Sequence, residues 1–243
     1  MTMKKILILG VSMLCMTFTY AQWGKKIKGN GNFITENRTT GPYEAIFISG
    51  SFDVELVDGK EGELTLKGEE NLLEYIVTEI KDGKLVVKVE KGINLSPSSW
   101  KQGIFIAIPV ESVDGVTLSG SGDIVGKKTI ATDNFKTDIS GSGDISLSVS
   151  ANSVKASISG SGDITLAGKT EDFEVRVSGS GDVNAYDLSA KNVTANVSGS
   201  ADIEVTATEM IQARVSGSGD ISYRGNPKKV DTKTSGSGDI TKG

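Results

Sequence analysis

The hexapeptide Ser-Gly-Ser-Gly-Asp-Ile begins at Ser119, Ser140, Ser159, Ser178, Ser198, Ser216 and Ser235, with Val183 closing the fourth copy and Ala201 replacing a glycine in the fifth. Successive starts lie 21, 19, 19, 20, 18 and 19 residues apart by subtraction. A motif that holds its phase over more than a hundred residues marks a structural repeat. Before each copy runs an alternating stretch, such as Phe135, Thr137, Ile139 or Val154, Ala156, Ile158, with Asp138, Lys155 and Ser157 between the inward positions. After each copy the alternation resumes, as in Ile145 and Leu147 or Ile164 and Leu166. That is the period of a half-buried strand.

One such unit cannot bury its own apolar stripe, but stacked units close a continuous core of Val and Ile columns. The pattern therefore predicts an all-β, right-handed parallel β-helix, a solenoid of about 19-residue coils, over residues 111–243. Strands stacked about 4.8 Å apart would make seven coils about 34 Å long. In the last coil Val230, Thr232 and Thr234 make the inward row more polar, which suits a solenoid end.

Residues 41–110 read as a less regular, β-rich half preceding the solenoid. Ile48-Ser49-Gly50-Ser51-Phe52-Asp53-Val54 is a degenerate copy of the repeat. Lys81-Asp82-Gly83-Lys84 reads as a hairpin turn, because Asp-Gly accepts the positive φ such turns need. Leu72–Val77 fits either a helical turn or the start of a strand, and Pro109 ends the strand begun at Ile104. Residues 91–103 read as a loop holding Trp100. Residues 22–40, with Lys25, Lys26 and Lys28, read as a polar N-terminal arm.

Lys4 and Lys5, the apolar run from Ile6, and Thr19-Tyr20-Ala21 form a secretory signal peptide at 1–21, with cleavage between Ala21 and Gln22. A membrane anchor would need a longer apolar run, and lipid attachment at Cys15 lacks small residues before it. No transmembrane helix is expected in the mature chain. The expected location is periplasm, outer-membrane surface or extracellular space. Cleavage would remove the one cysteine, so no disulfide is expected. The formal charge of −5 argues against nucleic acid as a partner. There is no histidine, which removes Ser-His-Asp and Cys-His chemistry and most zinc and copper sites.

The corner glycines allow a sharp bend, and the serine hydroxyls and aspartates are expected to take backbone N–H groups left over there. Stacking would line up Asp123, Asp144, Asp163, Asp182, Asp202, Asp220 and Asp239. Such a column is either held by corner N–H groups or neutralised by calcium, which favours clustered carboxylates. Calcium is the one cofactor in view.

From Tyr43-Glu44-Ala45-Ile46-Phe47-Ile48 through Ile106-Ala107-Ile108-Pro109 to Leu118-Ser119-Gly120-Ser121-Gly122-Asp123-Ile124, the chain resembles a Bacteroidetes family described as putative auto-transporter adhesins with a "head GIN" domain. The resemblance covers residue 40 onward. It implies a secreted β-helix with an adhesive or surface role, and no catalytic residues.

Three functions compete. A non-enzymatic binding or structural module would offer its ridged surface to carbohydrate, protein or another envelope component. A carbohydrate-active enzyme would need two spaced carboxylates where the repeat breaks; the visible breaks are Ala201, Trp100, Tyr186 and Arg224. A self-assembling scaffold would stack solenoid ends or form other oligomers.

Overall fold

A computed structural model of the chain describes residues 24–99 and 103–243. The expected signal peptide, its expected Ala21–Gln22 junction and Trp100 lie outside the described residues.

Every hexapeptide joins a strand on one face of a parallel β-solenoid to a strand on the next. The leading face stacks β3 (Ala45–Gly50), β10 (Gly115–Gly120), β12 (Asn134–Gly141), the second halves of β13 (Ile145–Gly160), β14 (Ile164–Gly179), β15 (Val183–Gly199) and β16 (Ile203–Gly217), and finally β18 (Lys229–Gly236). The trailing face stacks β4 (Phe52–Val57), β11 (Ile124–Ala131), the first halves of β13 to β16, β17 (Ile221–Arg224) and β19 (Ile240–Lys242). Pairing is in register: Ser119 lies opposite both Ser49 and Ser140, and the serine row continues to Ser235. Ile48, Leu118, Ile139, Ile158, Val177, Val197 and Val215 form one inward column, all buried. A buried Val or Ile contributes about 1.5–3 kcal/mol. A coil without its neighbour would lose several such contributions at once, so the unit of stability is the stack.

The degenerate repeat at Ser49 is a full coil, and it does not simply precede the others. Its strands are flanked on one side by β10 and β11, 70 residues later, and on the other by β7 (Lys84–Val89) and β9 (Ile104–Pro109), also parallel. Residues 58–114 are thus an excursion that builds one end of the solenoid before the chain returns to extend the other. At that end the pairing turns antiparallel. β6 (Ile76–Lys81) lies on β7, β5 (Glu63–Glu69) on β9, and β2 (Phe33–Thr39) on β5. The short helix α1 (Glu70–Leu73) buries Leu72 and Leu73 completely, plugging the core. Arg38 ties β2 to this plug, donating to the Leu73 carbonyl at 2.8 Å and to the Ile76 carbonyl.

Leu72–Val77 therefore holds both expected elements, a helical turn and then a strand. The Lys81–Lys84 turn is a hairpin with Asp82 at φ 51 and Gly83 at φ 73, as two-residue turns of this kind require. The segment read as a polar arm supplies two strands. β1 (Lys25–Lys28) pairs in parallel with β8 (Ile93–Ser96), inside the segment read as a loop, and β2 joins the main sheet. Ile27 and Ile34 pack against the core, which explains why so polar a stretch is ordered. Tyr43 anchors the start of β3 through its hydroxyl, which donates to the Pro109 carbonyl. Burial first, and then the Glu61 charge, push the Tyr43 pKa up to about 12, so it remains a donor.

Candidate functional site

The corners set the outer surface. The first glycine of every copy, from Gly50 to Gly236, has φ between 132 and 154, and a Cβ on Gly160 would sit 2.1 Å from the Gly141 carbonyl oxygen. The second glycine has no positive φ, yet a Cβ on Gly162 would lie 2.0 Å from the Gly143 oxygen. Backbone proximity between coils, rather than conformation, demands glycine there. Ala201 occupies that position fully buried, and its corner keeps the bonds of the glycine copies, Ser200 N–H to the Gly179 carbonyl at 3.0 Å and Asp202 N–H to the Asp182 carboxylate at 2.8 Å.

The aspartates line up as expected. Each from Asp144 onward donates its backbone N–H to the carboxylate of the preceding coil: Asp144 to Asp123 at 3.2 Å, Asp163 to Asp144 at 2.9 Å, Asp182 to Asp163 and Asp202 to Asp182 at 2.8 Å, Asp220 to Asp202 at 2.9 Å, and Asp239 to Asp220 at 2.7 Å. Each carbonyl accepts the N–H that follows the aspartate one coil earlier, as in Ile145 to Asp163 at 2.9 Å. All seven side chains are exposed. Among the described residues no group of three or more His, Cys, Asp or Glu side chains is arranged to hold a metal ion. The serine hydroxyls, in contrast to the sequence expectation, take none of the corner N–H groups. The N–H of the second serine donates to the first glycine's carbonyl of the preceding coil, as in Ser161 to Gly141 at 2.9 Å, and the first serine points outward from its strand.

Those outward serines floor a groove of about 610 Å³ that crosses five coils of the leading face. Ser140, Ser159, Ser178, Ser198 and Ser216 run along it, with Asp138, Arg176, Asn196 and Arg214 on the neighbouring row. Small side chains beside long ones create the depression. Its charges are partly engaged: Asp138 with Lys136 at 2.8 Å, Arg176 with Glu174 at 2.5 Å, and Arg214 with Asp231 at 2.6 Å.

Tyr186 and Arg224, two of the other breaks in the repeat, are packing features. The Arg224 guanidinium stacks 3.7 Å from the centre of the Tyr186 ring, clasping coils two layers apart, and Thr206 donates to the Tyr186 carbonyl at 2.7 Å. Glu69 escaped the sequence reading altogether. Its side chain is 1% exposed and accepts N–H groups from Gly31 at 2.6 Å and Ser98 at 2.8 Å. Burial alone would raise its pKa, but the Ser98 and Gly31 donors together hold it below the ordinary carboxylate value. Nothing local in the sequence separates it from exposed Glu70.

A second depression, of about 420 Å³, lies where the aspartate row meets the antiparallel end. Phe33, Thr35, Asp53, Lys67, Gly103 and Phe105 are among its walls.

Comparison with known proteins agrees with this architecture. The chain is similar in structure to a putative adhesin from Bacteroides fragilis, with 26% identity, a TM-score of 0.79, and 89% of this chain and 99% of that one covered. It is similar also to a putative lipid binding protein from Parabacteroides distasonis, with 27% identity, a TM-score of 0.72, and 90% and 100% covered. A putative adhesin from Parabacteroides merdae, at 22% identity and a TM-score of 0.65 over 90% and 99%, shares the fold. Among curated proteins nothing matches. Residues 42–227 match the family described as putative auto-transporter adhesin, head GIN domain, and the chain belongs to that family.

Proposed function

We propose that this protein is an exported, non-enzymatic binding module of the cell envelope, and that the leading-face groove grips a repetitive carbohydrate polymer. The observation that carries this reading is the groove itself: identical hydroxyls repeat at strand spacing across five coils, flanked by amide and guanidinium donors. A partner with a repeating unit meets the same group at each step, so weak contacts add. Family membership supports a surface role, and no helix among the described residues is long and apolar enough to cross a membrane. The non-enzymatic reading rests on chemistry: the chain has no histidine, and the groove's one carboxylate, Asp138, is paired with Lys136. Calcium plays no part in this reading, in which the aspartate carboxylates serve as acceptors for backbone N–H groups.

A second reading, self-assembly, has β18 in its favour: all its residues are exposed, with Val230 at 49%. Light scattering separates the two, since assembly predicts a mass that rises with concentration. The test of the binding reading is retention on immobilised polysaccharides and envelope fractions, compared between the protein and a groove-filled variant.

A further inference from the structure

The aspartate row does not end at Asp123. In the trailing face Asp53 lies next in the row, followed across β9 and β5 by Phe105, Lys67 and Thr35. At this point the repeated acids give way to an acid, an aromatic ring, a base and a hydroxyl in sequence, around the 420 Å³ depression. Phe33 also lines it and is 40% exposed, one of the few large apolar side chains the described surface leaves open.

The walls discriminate among ligands. An acyl chain would leave Asp53 and Lys67 desolvated without partners. A simple cation would be repelled by Lys67, and a simple anion by Asp53. A ligand with an apolar face and a rim of hydroxyls meets all these groups: its C–H face stacks on Phe105, and its hydroxyls reach the carboxylate, the ammonium and Thr35. Lys67 is free to take part. Its nitrogen lies 5.7 Å from the Phe105 ring centre, near the outer limit of a cation–π contact, and it forms no ion pair among the described residues. Desolvation first, and then the Asp123 charge, raise the Asp53 pKa above the ordinary carboxylate value. Gly103 also lines the depression, and a Cβ there would meet nothing within 4 Å on a backbone without positive φ.

We infer that the pocket formed by Phe33, Thr35, Asp53, Lys67 and Phe105 is a subsite for a single neutral pyranose, distinct from the groove on the leading face. It shares the binding-module reading but does not depend on the groove.

The test is nitrogen–proton correlation NMR of the purified protein titrated with methyl glucopyranoside, methyl galactopyranoside, methyl mannopyranoside and N-acetylglucosamine. The expected result is that at least one sugar shifts the amides of Thr35, Lys67 and Phe105. Gly103→Leu should fill the space without disturbing the fold and weaken binding about tenfold or more, and Phe105→Ala should do the same by removing the platform. Absence of shifts with all four sugars overturns the inference, as do shifts that persist unchanged in a folded Gly103→Leu protein. Shifts confined to the serine row would overturn the pocket and leave the groove reading intact.

Discussion

The backbone N–H of Asp182 donates to the carboxylate of Asp163 at 2.8 Å, and the N–H of Asp163 donates in turn to Asp144 at 2.9 Å. Adjacent carboxylates one strand apart repel by about 1 kcal/mol in water, less with salt. A typical hydrogen bond nets about 0.5–1.5 kcal/mol, so the ladder of donors offsets the repulsion. Asp163→Asn keeps an acceptor and removes a charge; its stability should match the parent or slightly exceed it. Asp163→Ala should lose about 1 kcal/mol. Denaturant titration of both variants checks this. Calorimetry should show no calcium uptake, and chelator should leave the melting temperature unchanged; a calcium-dependent rise would contradict the hydrogen-bonded account of the column.

Glu69 clasps two segments far apart in sequence through Gly31 and Ser98. Its pKa in the folded protein lies below the ordinary 4.5, so the ionised form is the one the fold favours. The stability it contributes is fully present above about 4.5, the ordinary value, and is lost as pH falls through the lower folded value. Glu69→Gln should cost about 2–3 kcal/mol at neutral pH. It should also flatten the loss of stability on acidification, measured by urea unfolding at a series of pH values.

Thr137 occupies an inward position between Val116 and Ala156, fully buried, and its hydroxyl has no hydrogen-bond partner among the described residues. An unpaired buried hydroxyl costs about 1–3 kcal/mol. Thr137→Val, which keeps the branched shape, should stabilise the protein by about 1 kcal/mol and raise its Tm by about 2–4 °C. A lower Tm in calorimetry would mean that the hydroxyl has a partner.

Glycines here are not equivalent. Gly160→Ala forces a Cβ to 2.1 Å from the Gly141 oxygen at φ 154 and should cost more than about 3 kcal/mol. Gly103→Ala enters open space and should be neutral or slightly stabilising. Paired melting curves of the two variants decide the matter.

The repeat made the solenoid legible because the same physical demand recurs in every coil: inward Val or Ile, a corner without Cβ atoms, and an acceptor for a spare N–H. Ser49-Gly50-Ser51-Phe52-Asp53 was readable as a coil for the same reason. Its neighbours were not, since a β3 strand packed between residues 84–89 and 115–120 depends on contacts distant in sequence, and local pattern carries no trace of that order. The arm at 22–40 misled because its ordering depends on two modest anchors, Ile27 and Ile34, amid polar residues. The aspartate column was legible as corner hydrogen bonding, while the groove rests on serines that, one coil at a time, look like turn residues. The pocket's residues come from four strands, β2, β4, β5 and β9, and only the antiparallel end brings them into one row.

Binding of a repetitive carbohydrate polymer in the leading-face groove can be tested at a single serine. Ser178 stands exposed at its middle, so Ser178→Trp should block it without touching the core. The decisive measurement is retention of the protein and of this variant on a polysaccharide panel and on envelope fractions, alongside their melting temperatures. The protein should be retained on at least one of these, and Ser178→Trp should bind about tenfold more weakly at unchanged stability. Retention no better than background on all of them, or equal retention of the variant, would contradict it.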